Sequence, residues 1–152
     1  MVLPAATANE MTLTITEEIH VRASLEVTYA ALLDELGPLH HVGDEHPLPM
    51  KLEAWPGGRW YRDLGNQNGH FWGHVQAIKR PTLLEITGPL FMSYAAVSNL
   101  QYRLTPVDGG TLITFTHSAM GLMPEDHRSG VREGWAYSHE RVRLAAEAAA
   151  KV

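Results

Sequence analysis

Residues 111–150 read TLITFTHSAMGLMPEDHRSGVREGWAYSHERVRLAAEAAA and predict one strong strand followed by one long helix. Thr111–His117 is rich in β-branched and aromatic residues and follows the turn pair Gly109-Gly110, so it favours a strand. We expect that strand to stop at Gly121. Pro124 fits the first position of a helix, where its missing N–H has no partner to lose. The rest of the chain is expected to form a sheet that holds this helix.

Charge and spacing support the helix. Glu125 and Asp126 place negative charge at the positive end of the helix dipole. From Val131 onward, apolar or small residues recur at steps of four and three, so one stripe should face inward. The stripe consists of Val131, Trp135, Ser138, Val142, Ala145 and Ala149. The opposite face, which should be solvated, carries Arg132, Glu133, Glu140, Arg143 and Glu147.

Two glycines, Gly130 and Gly134, lie about one turn apart in this predicted helix. Each costs about 1 kcal/mol relative to alanine in a helix interior. One interpretation is that the missing side chains let the helix backbone approach the sheet closely. The other is that they leave room for a further molecule beneath the helix. The spacing agrees with both.

The length of 152 residues favours one domain with its own core. Residues 1–10 are small and polar and should form a flexible terminus, so the domain should comprise residues 11–152. The chain has no cysteine, which excludes disulfides, thiolate metal sites and cysteine nucleophiles.

Charge and hydropathy limit the partners. The 12 lysines and arginines are scattered, and the net charge is −5, so we expect no nucleic-acid partner. No apolar run reaches the ~18 residues that span a bilayer. The start of the chain lacks the charged and apolar regions of a signal peptide, so a cytoplasmic location is expected.

Upstream of residue 111, the pattern predicts one helix and six strands. Ser24 is a good N-cap for the helix, which Gly37-Pro38 should end. Consecutive strands joined by short turns must be antiparallel, because a parallel pair needs a crossover of about a dozen residues or more. We therefore expect an α+β fold in which a curved antiparallel sheet of about seven strands surrounds the C-terminal helix. The predicted strands are Met11–Ala23, with a slip near Glu17-Glu18, then Met50–Trp55, Arg59–Leu64, His70–Ile78, Leu83–Thr87 and Ala96–Thr105.

Four short passages resemble the helix-grip fold of the START-like, or SRPBCC, superfamily. They are Trp55-Pro56-Gly57-Gly58, Gly73-His74-Val75, Thr116-His117-Ser118 and Gly134-Trp135, in that order along residues 12–150. Within the superfamily, the chain most resembles proteins related to the activator of the heat-shock-protein-90 ATPase. The passages are fairly specific for the fold, but the fold hosts many functions.

The resemblance implies a cavity between the sheet and the last helix. We therefore expect the protein to bind a small hydrophobic or aromatic molecule there, without a cofactor. A second hypothesis is a cofactor-independent enzyme, a cyclase, hydratase or aldol-type catalyst, with His117 or His74 as general base. A third is a co-chaperone-like interaction protein. The predicted ligand-binding residues are His40, His41, Trp55, Trp60, Trp72, Tyr94, Tyr102 and Trp135.

His117 shares strand parity with Ile113 and Phe115, so its ring should point toward the helix. A neutral imidazole there could anchor a polar ligand group or act as general base. The alternative is a core histidine that is hydrogen-bonded within the protein. Glu53, Asp63 and Glu85 could pair with His117 or His74, or lie solvated on the outer face of the sheet.

The histidines invite a metal hypothesis, but we assign no metal. His70 and His74 lie in a predicted strand, where four residues span about 13 Å, so they cannot share one ion. The loop before Met50 offers nitrogen and oxygen ligands, although loops collect such residues without binding metal. These loop residues are His40, His41, Asp44, Glu45 and His46.

Adjacent aromatic residues predict rings on both faces of the sheet. Because side chains alternate along a strand, Trp60-Tyr61 and Phe71-Trp72 should each send one ring to the convex face. An exposed aromatic patch usually marks an interaction surface, so the sequence predicts a homodimer.

Overall fold

The computed structural model describes residues 10–44 and 46–151, which contain seven strands and two α-helices. The predicted flexible terminus, apart from Glu10, lies outside the described residues. The elements are β1 (Thr12–Val21), α1 (Leu25–Leu36), β2 (Lys51–Leu52), β3 (Arg59–Gly65), β4 (Asn68–Lys79), β5 (Leu83–Gly88), β6 (Ala96–Val107), β7 (Gly110–Gly121) and α2 (Glu125–Ala150).

The strands form one antiparallel sheet in the order β1-β7-β6-β5-β4-β3-β2. Short turns join neighbours from β2 to β7, whereas α1 and the following loop carry the chain from β1 at one edge to β2 at the other. Register shifts in the β3–β4 and β4–β5 pairs bend the strands, which helps the sheet curve around α2. The predicted α+β helix-grip architecture is therefore confirmed.

The helix starts follow from local chemistry. The Ser24 hydroxyl accepts a hydrogen bond from the Val27 N–H at 3.2 Å and caps α1, as predicted. Helix α2 begins at Glu125, directly after Pro124. None of the described helices is long and apolar enough to cross a lipid bilayer.

The predicted inner stripe of α2 is correct for its first half and wrong for its end. Val131, Trp135, Ser138 and Val142 are buried, but Ala145 and Ala149 are exposed. After Val142 the buried face continues at Ala146, and it also includes His139. A helix of 3.6 residues per turn brings position 146, four residues on, back to the same face.

Two strand predictions also need correction. The predicted strand Met50–Trp55 is reduced to Lys51–Leu52, because the chain already turns at Glu53, whose carbonyl accepts the Trp55 N–H at 2.9 Å. The slip predicted near Glu17-Glu18 is wrong, since β1 pairs with β7 without a break. Glu17 therefore stays in phase with the buried Ile15 and Ile19 and faces the helix side of the sheet.

Candidate functional site

A cleft of about 630 Å³ opens between the first half of α2, the loop after α1 and the concave face of the sheet. We call it the α2 cleft. Exposed residues such as Val42 and Gly130 lie at its mouth, so it is open to solvent. Its lining comprises His40, His41, Val42, Gly43, Leu48, Trp72, Phe91, Asp126, His127, Gly130, Val131, Glu133, Gly134, Trp135, Tyr137 and Ser138.

Three aromatic rings form one wall of the cleft. Trp72 on β4 meets Phe91 with ring centroids 5.6 Å apart, and Phe91 meets Trp135 on α2 at 5.9 Å. Trp60 supports Trp72 from behind at 4.9 Å and donates its indole N–H to the Leu36 carbonyl at 2.7 Å. The rings are held in place by packing, so they present a preformed apolar surface.

Gly130 and Gly134 line the cleft from the helix side. A Cβ atom added to either glycine would meet no heavy atom within 4 Å. The interpretation that these glycines allow close backbone approach is therefore wrong. They border open space, as the second interpretation held.

His40 is a buried polar side chain of the cleft, with 6% of its surface exposed. Its Nδ1 lies 3.1 Å from the Glu35 backbone carbonyl, and its ring meets Trp72 edge-on at 5.6 Å. A carbonyl can only accept, so Nδ1 must carry the proton. Burial lowers the pKa of His40 below the ordinary value, against the opposing effect of the Glu35 bond, and the ring is neutral.

The loop that forms the outer wall is fastened to α2 by polar contacts. Tyr137 donates its hydroxyl to Asp44 Oδ1 at 2.9 Å. Arg141 reaches the Leu39 carbonyl at 3.1 Å and pairs with the buried carboxylate of Glu35 at 2.8 Å. Burial raises the pKa of Glu35, and the Arg141 guanidinium opposes that rise.

His117 is fully buried and does not line the cleft. Trp135 donates its indole N–H to His117 Nδ1 at 2.9 Å, so the proton of the neutral ring sits on Nε2. Nε2 then donates to Ser98 Oγ at 2.9 Å, and Ser98 is oriented toward the sulfur of Met92. Burial lowers the pKa of His117 to about 4, with a smaller effect from His127. Both ring nitrogens are occupied, which fits the alternative of a hydrogen-bonded core histidine.

A buried polar chain that the sequence analysis missed lies beside Trp135, whose ring stacks on His139 at 5.7 Å. Tyr102 bonds to His139 Nε2 at 2.9 Å, and His139 Nδ1 bonds to the carboxylate of Glu17. Burial raises the pKa of Tyr102 well above its ordinary value. The available signal was the parity of Glu17, which places a carboxylate among the inward residues of β1.

The predicted ligand-binding residues divide into two groups. His40, His41, Trp72 and Trp135 line the α2 cleft together. Trp60 lies behind Trp72, Tyr102 is sealed in the core, Tyr94 bonds to the cleft residue His127 from outside the lining, and Trp55 is 57% exposed. The cleft residues missed by the sequence analysis include Phe91, His127 and Tyr137.

His74, the second predicted base, lies exposed on the face of the sheet away from α2, where Nδ1 is 3.0 Å from the Gly57 carbonyl. Its predicted placement at a pocket is wrong. Trp72 and His74 would share one face in a regular strand. The register shift between Trp60 and Tyr61 in the β3–β4 pair adds one residue to β4, which leaves Trp72 inside and His74 outside. Glu53 also lies here, paired with Arg59 at 2.7 Å, which lowers the pKa of Glu53 to about 2.

The paired aromatic residues do place one ring on each face. Trp60 and Trp72 are buried, whereas Phe71 is 39% exposed and Tyr61 is half-buried. The Arg59 guanidinium covers the Tyr61 ring at 4.6 Å, and Phe71 packs against His74 at 4.9 Å. The homodimer stays a prediction.

No group of three histidine or carboxylate side chains converges on a metal position within residues 10–44 and 46–151. Glu45, one of the loop residues considered for a metal, lies outside the described residues. His41 Nδ1 is engaged within the protein, near the Leu39 carbonyl and Arg141 at 2.9 and 3.0 Å.

Several solved structures share this fold. An uncharacterised protein from Rhizobium leguminosarum has a TM-score of 0.69 at 18% identity, over 90% of this chain and 95% of that chain. An AHSA1-like protein from Aeromonas hydrophila has a TM-score of 0.65 at 17% identity, over 90% and 94%. The di-domain ARO/CYC protein StfQ from the steffimycin biosynthetic pathway has a TM-score of 0.64 at 12% identity, over 95% and 52%. At these identities the likeness shows the fold alone.

None of the curated proteins compared with this chain matches it. The sequence does match a family described as Activator of Hsp90 ATPase homolog 1-like protein over residues 22–147, which includes both helices almost completely and six of the seven strands. Together with the seven-stranded sheet and the long final helix, this match shows that the chain belongs to the Activator of Hsp90 ATPase homolog 1-like family, within the START-like superfamily.

Proposed function

We propose that this protein binds a small hydrophobic, aromatic molecule in the α2 cleft. The observation that carries the proposal is the pairing of an aromatic wall with open space beside two helix glycines. Trp72, Phe91 and Trp135 supply the wall, and Gly130 and Gly134 supply the space. A volume of about 630 Å³ lies within the usual range for small-molecule sites, and such sites are mostly apolar with a few polar groups.

The other hypotheses have less support. His117 has both nitrogens engaged in the core and His74 lies on the outer face, so the geometry does not favour either as general base. A catalytic role in this cleft would have to use a base from its lining, such as His40 or His127, and the likeness to StfQ of a biosynthetic pathway makes it the second candidate. A co-chaperone role rests on the family description alone.

The test is a thermal melt with naphthalene as the probe. Ligand that binds only the folded protein stabilises it by about 1.4 kcal/mol when free ligand is ten times Kd, which corresponds to a rise of about 3–5 °C in Tm. Fluorescence quenching of the cleft tryptophans gives an independent readout of the same binding.

A pair of variants locates the site. Gly134→Phe should fill the cleft and abolish the shift, because the space beside Gly134 is open. Ala136→Phe is the matched control, since Ala136 is exposed, does not line the cleft and lies about 200° further round the helix. The proposal fails if naphthalene does not bind, or if the two variants bind it equally well.

A further inference from the structure

His40, a buried polar side chain of the α2 cleft, has one unused hydrogen-bonding position. His40 Nδ1 is committed to the Glu35 carbonyl at 3.1 Å, which leaves Nε2 as an acceptor. Nε2 has no hydrogen-bond partner among residues 10–44 and 46–151. Within the same residues, Thr28 Oγ1 is the one side-chain nitrogen or oxygen that is sealed from solvent and has no partner. Because His40 Nε2 also has no partner, it cannot be sealed from solvent. His40 lines the α2 cleft, so we take Nε2 to face that space.

The ring of His40 is held in one orientation. The Glu35 bond fixes one edge, the edge-on contact with Trp72 at 5.6 Å fixes the plane, and the backbone on both sides is tied down. The His40 N–H donates to the Gly37 carbonyl at 3.2 Å, and the His40 carbonyl accepts from the Leu48 N–H at 2.8 Å. An acceptor that is preorganised beside an aromatic wall can select a ligand by the position of a donor.

Charge at the cleft mouth narrows the ligand further. The permanently charged side chains of the lining are the carboxylates of Asp126 and Glu133, both exposed. The described lining contains no lysine or arginine, and the guanidinium of Arg141, which fastens the outer loop, is already paired with Glu35 at 2.8 Å. An anionic ligand would meet like charge at the entrance and no lysine or arginine side chain among the described residues of the lining, so a neutral ligand is favoured.

We infer that the α2 cleft selects a neutral aromatic molecule that carries a hydrogen-bond donor, such as a phenolic hydroxyl, which donates to His40 Nε2. This inference rests on the proposed function and adds the polar requirement. Naphthalene is more apolar than 2-naphthol, so hydrophobic burial alone would favour naphthalene. A preference for 2-naphthol therefore reports a polar partner in the site.

The experiment compares four probes with the full chain at pH 7, by isothermal titration or tryptophan quenching. They are 2-naphthol, 2-methoxynaphthalene, which cannot donate, naphthalene and the anion 2-naphthoate. We expect 2-naphthol to bind about three- to ten-fold more tightly than naphthalene or 2-methoxynaphthalene, the usual effect of one hydrogen bond. We expect 2-naphthoate to bind most weakly.

His40→Phe keeps a flat ring but removes the acceptor, so its Kd values for 2-naphthol and 2-methoxynaphthalene should fall within about two-fold of each other. His74→Phe, on the outer face of the same sheet, is the matched control and should keep the wild-type preference. If His40→Phe does not fold, the comparison of the four probes on the wild-type protein still tests the inference.

If wild type binds naphthalene, 2-naphthol and 2-methoxynaphthalene equally, the inference about His40 is overturned and the proposed function survives. If His40→Phe keeps the preference for 2-naphthol, the acceptor lies elsewhere and the inference is again overturned. If none of the four probes binds, the inference and the proposed function both fail.

Discussion

The two halves of the groove beneath α2 differ in how the same helix meets the same sheet. In the first half, Gly130 and Gly134 leave the α2 cleft open beside Trp72 and Phe91. In the second half, His139, Val142 and Ala146 are buried against the sheet and α1, and that space is filled. The comparison teaches that the side-chain volume on one helix face decides where the fold leaves room for a ligand.

Trp135 separates the two halves. Its ring meets Phe91 on the cleft side at 5.9 Å, and on the packed side it meets Phe115 at 5.0 Å and lies parallel to His139 at 5.7 Å. Its indole N–H also holds His117. The boundary between an open site and a solid core is thus one side chain.

The largest expected effect comes from removing that partition. Trp135→Ala should lower the free energy of unfolding by about 3–5 kcal/mol, because it leaves a cavity and strips His117 Nδ1 of its donor. Denaturant titration measures the loss. Trp55→Ala is the control, since Trp55 is 57% exposed, and it should change stability by no more than about 0.5 kcal/mol. Equal effects of the two substitutions would mean that Trp135 does not support the packed half.

The second-largest effect is the pH dependence of stability that His117 gives to the packed half. The folded-state pKa of His117 is about 4, below the ordinary 6.5, so the unfolded chain binds a proton more readily. The contribution of the neutral His117 ring to the free energy of unfolding is fully present above about pH 6.5. It is lost as the pH falls toward 4, by at most about 3 kcal/mol. His117→Gln removes this titration and should be less stable than wild type at pH 7.

The measurement is the stability difference between wild type and His117→Gln at several pH values. The difference should narrow from pH 7 to pH 4, whereas groups common to both proteins cancel, including His40, whose pKa is also lowered. A difference that stays constant with pH would show that His117 does not titrate as a buried neutral ring.

The smallest effect tests the open half. Gly134→Ala and Gly130→Ala should each stabilise the protein by about 0.5–1 kcal/mol, because alanine is the better helix former and its Cβ meets no atom. Thermal or denaturant unfolding measures the gain. Gly58→Ala is the contrasting variant, since its Cβ would lie 1.7 Å from the Glu53 carbonyl oxygen, and it should destabilise. A loss of stability at 130 or 134 would contradict the open space described for this face.

Much of the fold could be predicted because periodicity reports local exposure. The inward parity of Ile113, Phe115 and His117 and the first half of the α2 stripe were correct. Periodicity did not predict side-chain pairing between elements that are distant in sequence. The parity of Glu17 was mistaken for a register slip, since a carboxylate facing the core makes sense only with its partner, His139, in view. That partner lies 122 residues away.

The candidate site could be predicted only in part. His40, His41, Trp72 and Trp135 were named and do meet, whereas His74 was named and points away from the cleft. Strand parity and residue type suggested ligand chemistry for His117, with a core histidine as the alternative, and hydrogen bonds within the core use both of its nitrogens. Phe91 was overlooked because it lies outside the regular strands, where alternation carries no signal.

By itself, the sequence determined the order of the elements, the antiparallel sheet and the long final helix, because strand alternation, helical spacing and turn residues act over a few neighbours. Only the tertiary structure decided whether the helix glycines approach the sheet or border open space, and which nitrogen of each histidine remains unused. Both depend on atoms brought together from distant parts of the chain, and packing and hydrogen bonding settle them only after the sheet has curved around α2.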